Sequence, residues 1–234
     1  MNAIVQTACK FVTSSIGRKI LVALTGACLL LFLVGHLIGN LLIFGGPEYI
    51  NSYAFGLHSM PAWMLWGIRL GLLVVALVHI VYTITLKLEN NGARQQYEYK
   101  STITATLSSR AMIWTGLMIL CFLIFHLLQY TVRVGIPEVL VPLHPTNPDS
   151  ILVFDCYGMI VKGFSNVWCS GFYIVAILFL FSHLRHGVQS VFQTLGLATR
   201  KVRSLWNIIA IAYAIVVCGG FISIPLAVLS GFLK

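Results

Sequence analysis

The chain has 234 residues, of which 59% are hydrophobic and only 9% charged, with a mean hydropathy of +0.92 and a formal net charge of +9. Globular domains carry about 25% charged residues. A soluble domain of this size cannot hide so much apolar surface, so the composition describes an integral membrane protein. It excludes a disordered chain, a secreted disulfide scaffold and a soluble DNA-binding domain, and it makes the positive charge a matter of loop topology.

The chain opens with a basic segment carrying Lys10, Arg18 and Lys19. The apolar run that follows ends in Phe44-Gly45-Gly46-Pro47 without a small-residue cleavage site, which reads as a span rather than a signal peptide. Five runs, at about 20–44, 62–86, 109–132, 166–191 and 205–232, are long enough to cross a hydrocarbon core of about 30 Å as helices. They do not alternate and are too long for barrel strands. The expected fold is therefore an all-α membrane protein, one domain over 1–234, with the first four spans forming a bundle. Tryptophans mark the entry of four spans: Trp63 with Trp66, Trp114, Trp168 and Trp206. The first connection, with Glu48, Tyr49, Tyr53 and His58, reads as a short loop. The third, 133–165, holds Pro137, Pro142, Pro145 and Pro148 and reads as a loop rather than a helix. The six cysteines show no C-x-x-C spacing; only Cys156 and Cys169, flanking one connection, offer a candidate disulfide.

Basic residues set the expected direction. Eleven fall on one side: Lys10, Arg18, Lys19, Lys87, Arg94, Lys100, Arg110, Arg185, Arg200, Lys201 and Arg203. Three fall on the other: Arg133, Lys162 and Lys234. The asymmetry predicts a cytoplasmic N-terminus, an outer C-terminus and residence in the inner (cytoplasmic) membrane.

His36, His79, His126 and His183 lie one in each of the first four spans, each toward the C-terminal end of its helix. A single intramembrane histidine is as readily explained by a hydrogen bond between helices or a water path. Four at matching positions on alternating helices fall into two pairs, His36 with His126 toward the outer face and His79 with His183 toward the cytoplasm. Two facing imidazoles at one depth are what a six-coordinate haem iron requires, and helix bundles build such sites from facing helices. Gly26 and Gly116 precede His36 and His126 by ten residues, and Gly67 and Gly171 precede His79 and His183 by twelve. Ten residues rise about 15 Å, so each glycine reaches the depth of the opposite pair and can make room there. Glycine also helps membrane helices pack closely, which is the plainer explanation. Arg69, ten residues before His79, stands at the outer level and either meets an anion such as a haem propionate or snorkels to the interface. All six acidic residues (Glu48, Glu89, Glu98, Glu138, Asp149 and Asp155) are expected outside the spans.

Several motifs carry a resemblance. Ser15-x-x-Arg18-Lys19 precedes the first span, Thr25-Gly26 is followed by Gly35-His36, His79 and His126 occupy the second and third spans, and His183-x-x-x-Gly187 lies in the fourth. Over nearly the whole chain this is similar to the single-chain, five-helix, di-haem cytochrome b subunit of succinate dehydrogenase and fumarate reductase. The resemblance implies two haem b groups, one held by His36 and His126 and one by His79 and His183, with His186 as a competing ligand or a propionate partner. It implies a flavoprotein and an iron–sulfur subunit on the cytoplasmic face, succinate chemistry on the flavoprotein, and electron exchange with a membrane quinone, menaquinone being the one expected. Glu48, Tyr53 and His58 are the candidate quinone-site residues, and His144 is expected to be exposed. Other two-haem membrane cytochromes (ascorbate-reducing, hydrogenase or formate dehydrogenase anchors) and a haem-free transporter with a histidine proton relay are the alternatives.

Overall fold

The computed structural model describes residues 3–92, 107–147 and 149–234. Arg94, Lys100, Glu98 and Pro148 lie outside the described residues, as does the side chain of Arg110. Of the described residues 80% are helical, and among them five helices are long and apolar enough to cross a membrane.

A short helix, α1 (Ala3–Thr13), precedes the first span, α2 (Ser15–Leu41). Ser14 separates them: its backbone is extended, and its hydroxyl accepts from the Gly17 amide at 3.0 Å, the usual office of a serine at a helix start. The turn is tight enough that a Cβ on Gly17 would stand 1.9 Å from the Phe11 carbonyl oxygen, so only glycine fits. The span therefore starts at the serine cap, six residues before the first purely apolar stretch.

The first connection is a helix and not the loop that its length suggested. After a 3₁₀ turn (Leu42–Gly45), Gly46 adopts φ 102° and Pro47 opens α3 (Pro47–His58), which buries Ile50 and Asn51. Proline is pre-organised for the first helical position. The second span, α4 (Ala62–Gly92), runs past its expected end, so Glu89 stands in its last turns, ion-paired with Arg18 at 2.6 Å. The third, α5 (Leu107–His126), continues as a π-helical turn (Leu127–Val132).

The third connection also contains a helix. Strands β1 (Leu140–Pro142) and β2 (Leu152–Phe154) pair antiparallel, and Asp155 then caps α6 (Cys156–Ser165) by accepting from the Gly158 amide at 2.9 Å. The four prolines suggested irregular chain throughout; the described ones all precede Asp155, and the apolar stripe Ile160–Phe164 packs α6 onto the ends of the spans. The cysteines are free, Cys156 and Cys169 included, and burial pushes the Cys156 thiol up to about 11, which keeps it protonated and inert at neutral pH.

Asn166 caps the fourth span, α7 (Val167–Thr194), accepting from the amides of Trp168 and Cys169. Gly196 at φ 76° lets the chain reverse into the fifth, α8 (Arg203–Leu229), where Trp206 stacks on Phe192 at 3.5 Å. α8 stops at Leu229, short of the expected 232, because Gly231 turns at φ 76°.

The packed pairs are α2 with α4, α5 with α7, and α2 with α7, while α8 lies behind α7 and α2. Small residues set the spacing: Ala210 and Ala214 are fully buried, and a Cβ on Gly220 would stand 2.7 Å from Leu37. The Tyr213 hydroxyl donates to the Leu30 carbonyl at 2.6 Å, which ties α8 to α2. α4 leaves its remaining faces uncovered, and Leu70, Leu73, Val74, Leu77 and Val81 are exposed there, as suits a helix solvated by lipid.

Candidate functional site

Of the four span histidines, His36 and His126 meet across the bundle as a diagonal pair. His36 on α2 and His126 on α5 place their ring centroids 5.8 Å apart with the planes at 88°. A metal–imidazole bond is about 2 Å, so two axial imidazoles on one ion have ring centres about 6 Å apart. His79 on α4 and His183 on α7 are close enough to interact electrostatically.

A carbonyl partner fixes the tautomer of His79. His79 Nδ1 lies 3.2 Å from the Val22 carbonyl oxygen, which can only accept, so Nδ1 carries the proton. The Thr25 hydroxyl, 3.3 Å from the same nitrogen, donates its own hydrogen to Leu21 O at 2.6 Å and presents its oxygen as a second acceptor. His183 repeats the pattern. Its Nδ1 is 3.2 Å from the Thr115 hydroxyl, which donates to Met112 O at 3.0 Å. His126 Nδ1 is 3.2 Å from the Tyr173 hydroxyl, whose hydrogen goes to Gln129 Oε1 at 2.9 Å. His79 therefore has its lone pair on Nε2, and His183 and His126 share that tautomer when the Thr115 and Tyr173 hydrogens go to Met112 O and Gln129 Oε1; this is the arrangement in which a histidine serves as a metal ligand with its other nitrogen oriented by the protein. His36 is held differently, with the Asn40 amide nitrogen 3.4 Å and 3.5 Å from its two ring nitrogens and Phe32 stacked on it at 5.3 Å.

Two of the four glycines lie beside a histidine of the opposite pair. A Cβ on Gly26 would stand 3.3 Å from His79 Cε1, and one on Gly116 would stand 3.6 Å from His183 Cε1. α2 and α5, which carry His36 and His126, thus each place a glycine beside a histidine of the other level. Gly67 and Gly171 face open space with no atom within 4 Å of a Cβ position. Arg69 is half-buried with its guanidinium 5.4 Å from the Trp66 ring centroid, a cation–π contact near the start of α4. His186, half-buried one turn beyond His183, interacts electrostatically with it.

The residues present would fit a haem at each level: His36 with His126, and His79 with His183, would hold it, with Gly26 and Gly116 beside two of the rings. No group of three or more His, Cys, Asp or Glu side chains that could cage a bare ion occurs among the described residues.

Glu48, Tyr53 and His58 are not gathered into one site. Glu48 contacts His144, which is exposed yet partnered, and lines a cavity of about 500 Å³ with Asn51, Asp155 and Lys234. Tyr53 lies against Gly39 on α2, and exposed His58 bonds within its own helix to Ala54 O at 2.8 Å.

Thr115, Tyr173, Gln129 and Asn40 were not found from the sequence. Thr115 was findable, because Thr115-Gly116 stands before His126 as Thr25-Gly26 stands before His36. Comparisons with protein families, curated proteins and solved structures find no match to this chain.

Proposed function

We propose that this chain is the di-haem b membrane anchor of a succinate:quinone oxidoreductase, an electron-transfer subunit between an iron–sulfur partner and a membrane quinone, with menaquinone the expected one. The observation that carries the reading is the facing His36–His126 pair, together with the matching Nδ1 partners that His79, His126 and His183 find on neighbouring helices. His36 and His126 would hold one haem, His79 and His183 the other. Bound there, haem b supplies one-electron redox chemistry with no open iron position, which favours electron transfer over oxygen chemistry. Gly26 and Gly116 keep α2 and α5 backbone against the rings of the opposite level, and Arg69 and His186 are the cationic candidates for propionate contacts. The identity of the enzyme rests on the sequence resemblance.

The end of the bundle carrying Lys10, Arg18, Lys19, Lys87, Arg200, Lys201 and Arg203 would face the cytoplasm and dock a flavoprotein and an iron–sulfur subunit. Purification through a tag on this chain tests the reading: those two subunits co-purify, and succinate reduces the haem absorption bands. Reversing Arg200, Lys201 and Arg203 to glutamate releases the partners and leaves the bands. Haem bands that succinate leaves oxidised, with different partners attached, would point to a hydrogenase-, formate dehydrogenase- or ascorbate-type cytochrome. A chain without a Soret band would leave a histidine-relay transporter.

A further inference from the structure

α5 leaves regular helical geometry directly after His126, and the wider turn of residues 127–132 carries Gln129 and Tyr130. π turns of this kind recur at functional sites because they re-aim side chains. Here the turn brings Gln129 to α7, where its amide bonds both Tyr173 and Cys169, the latter at 3.4 Å. Tyr173 is 4% exposed and held edge-on by Phe122 at 5.0 Å and Phe164 at 4.9 Å. A phenol has one hydrogen, and this one is donated to Gln129 Oε1. Its oxygen is left to accept from His126 Nδ1, so the chain His126 → Tyr173 → Gln129 is directed from end to end. Each link polarises the next, which makes the phenol oxygen a stronger acceptor than an isolated hydroxyl.

We infer that Tyr173, oriented by Gln129, is the positioning residue of His126: it fixes the ring's tautomer and raises its electron-donating strength, and so lowers the potential of the His36–His126 haem relative to a ligand without that acceptor. The inference rests on the two-haem reading above. A more basic imidazole stabilises the ferric state. His79 and His183 lean instead on threonine hydroxyls, so the phenol–amide chain belongs to one level alone.

The test is a redox titration of both haem components in the full complex, the His36–His126 component being the one lost in His36→Ala. In Tyr173→Phe that component moves to higher potential and its low-spin EPR signal shifts, while the other stays. Gln129→Leu moves the same component in the same direction by less. In the unaltered protein, redox-difference infrared spectra with labelled tyrosine show a phenol C–O band that changes with this component only; this measurement decides the matter if Tyr173→Phe fails to assemble. Unmoved potentials in both variants, an equal shift of both components, or no such tyrosine band overturns the inference and leaves the two-haem reading standing. A wild-type chain without haem overturns both.

Discussion

At the level of His79 and His183, each Nδ1 rests on the hydroxyl of a threonine, and the glycine after that threonine presses its backbone on the ring. At the level of His36 and His126 the neighbours are aromatic rings and amides: Phe32, Phe221, Phe122, Tyr173, Asn40 and, through Tyr173, Gln129. The first arrangement is built twice from the same two-residue unit on α2 and α5. The second is assembled once, from a π turn, a buried tyrosine and a residue of α8. Related helices can thus supply histidines to both levels while each level keeps its own polarity.

The contrast breaks most completely at the ligands. His183→Ala is expected to remove one haem equivalent per chain and leave the other, and His186→Ala to keep both; haem content per chain checks this. Loss in His186→Ala with retention in His183→Ala would exchange their roles.

Bulk at the glycines is the next largest effect. Gly116→Leu, which drives a side chain into the His183 ring, is expected to abolish the His79–His183 haem while sparing the His36–His126 one, as read from the two spectral components. Gly67→Ala, with open space at its Cβ, is expected to keep both.

Removing one acceptor is milder. Thr25→Val leaves His79 Nδ1 its bond to Val22, so the loss is about 1 kcal/mol, the scale of one hydrogen bond, seen as a modest fall in the thermal midpoint of the His79–His183 component. The smallest effect belongs to the ion pair at the end of α2 and α4. Glu89 is 47% exposed, so Arg18→Gln is expected to cost at most about 1 kcal/mol and neither haem.

The five spans were legible because lipid demands long apolar runs, and the histidines because a polar ring in such a run is costly and conspicuous. Gly26 and Gly116 were legible because helical rise alone puts them at the level of the opposite pair. α3 and α6 were not: each is short, and prolines drew the reading toward loops although Pro47 starts one helix and the described prolines of the third connection stop before the other. Tyr173 and Gln129 were hidden for a different reason. Their meeting depends on a π turn that shifts the register after His126, and no helical periodicity in the sequence marks it. The contact of Arg69 with Trp66 follows from side-chain packing, which spacing alone does not give.

The most direct measurement is the ratio of haem b to chain in the purified wild-type protein. Two per chain are expected, both low-spin. A ratio of zero would make the four histidines a polar seam between helices, and a ratio of one would mean that only one of the two levels is a haem site.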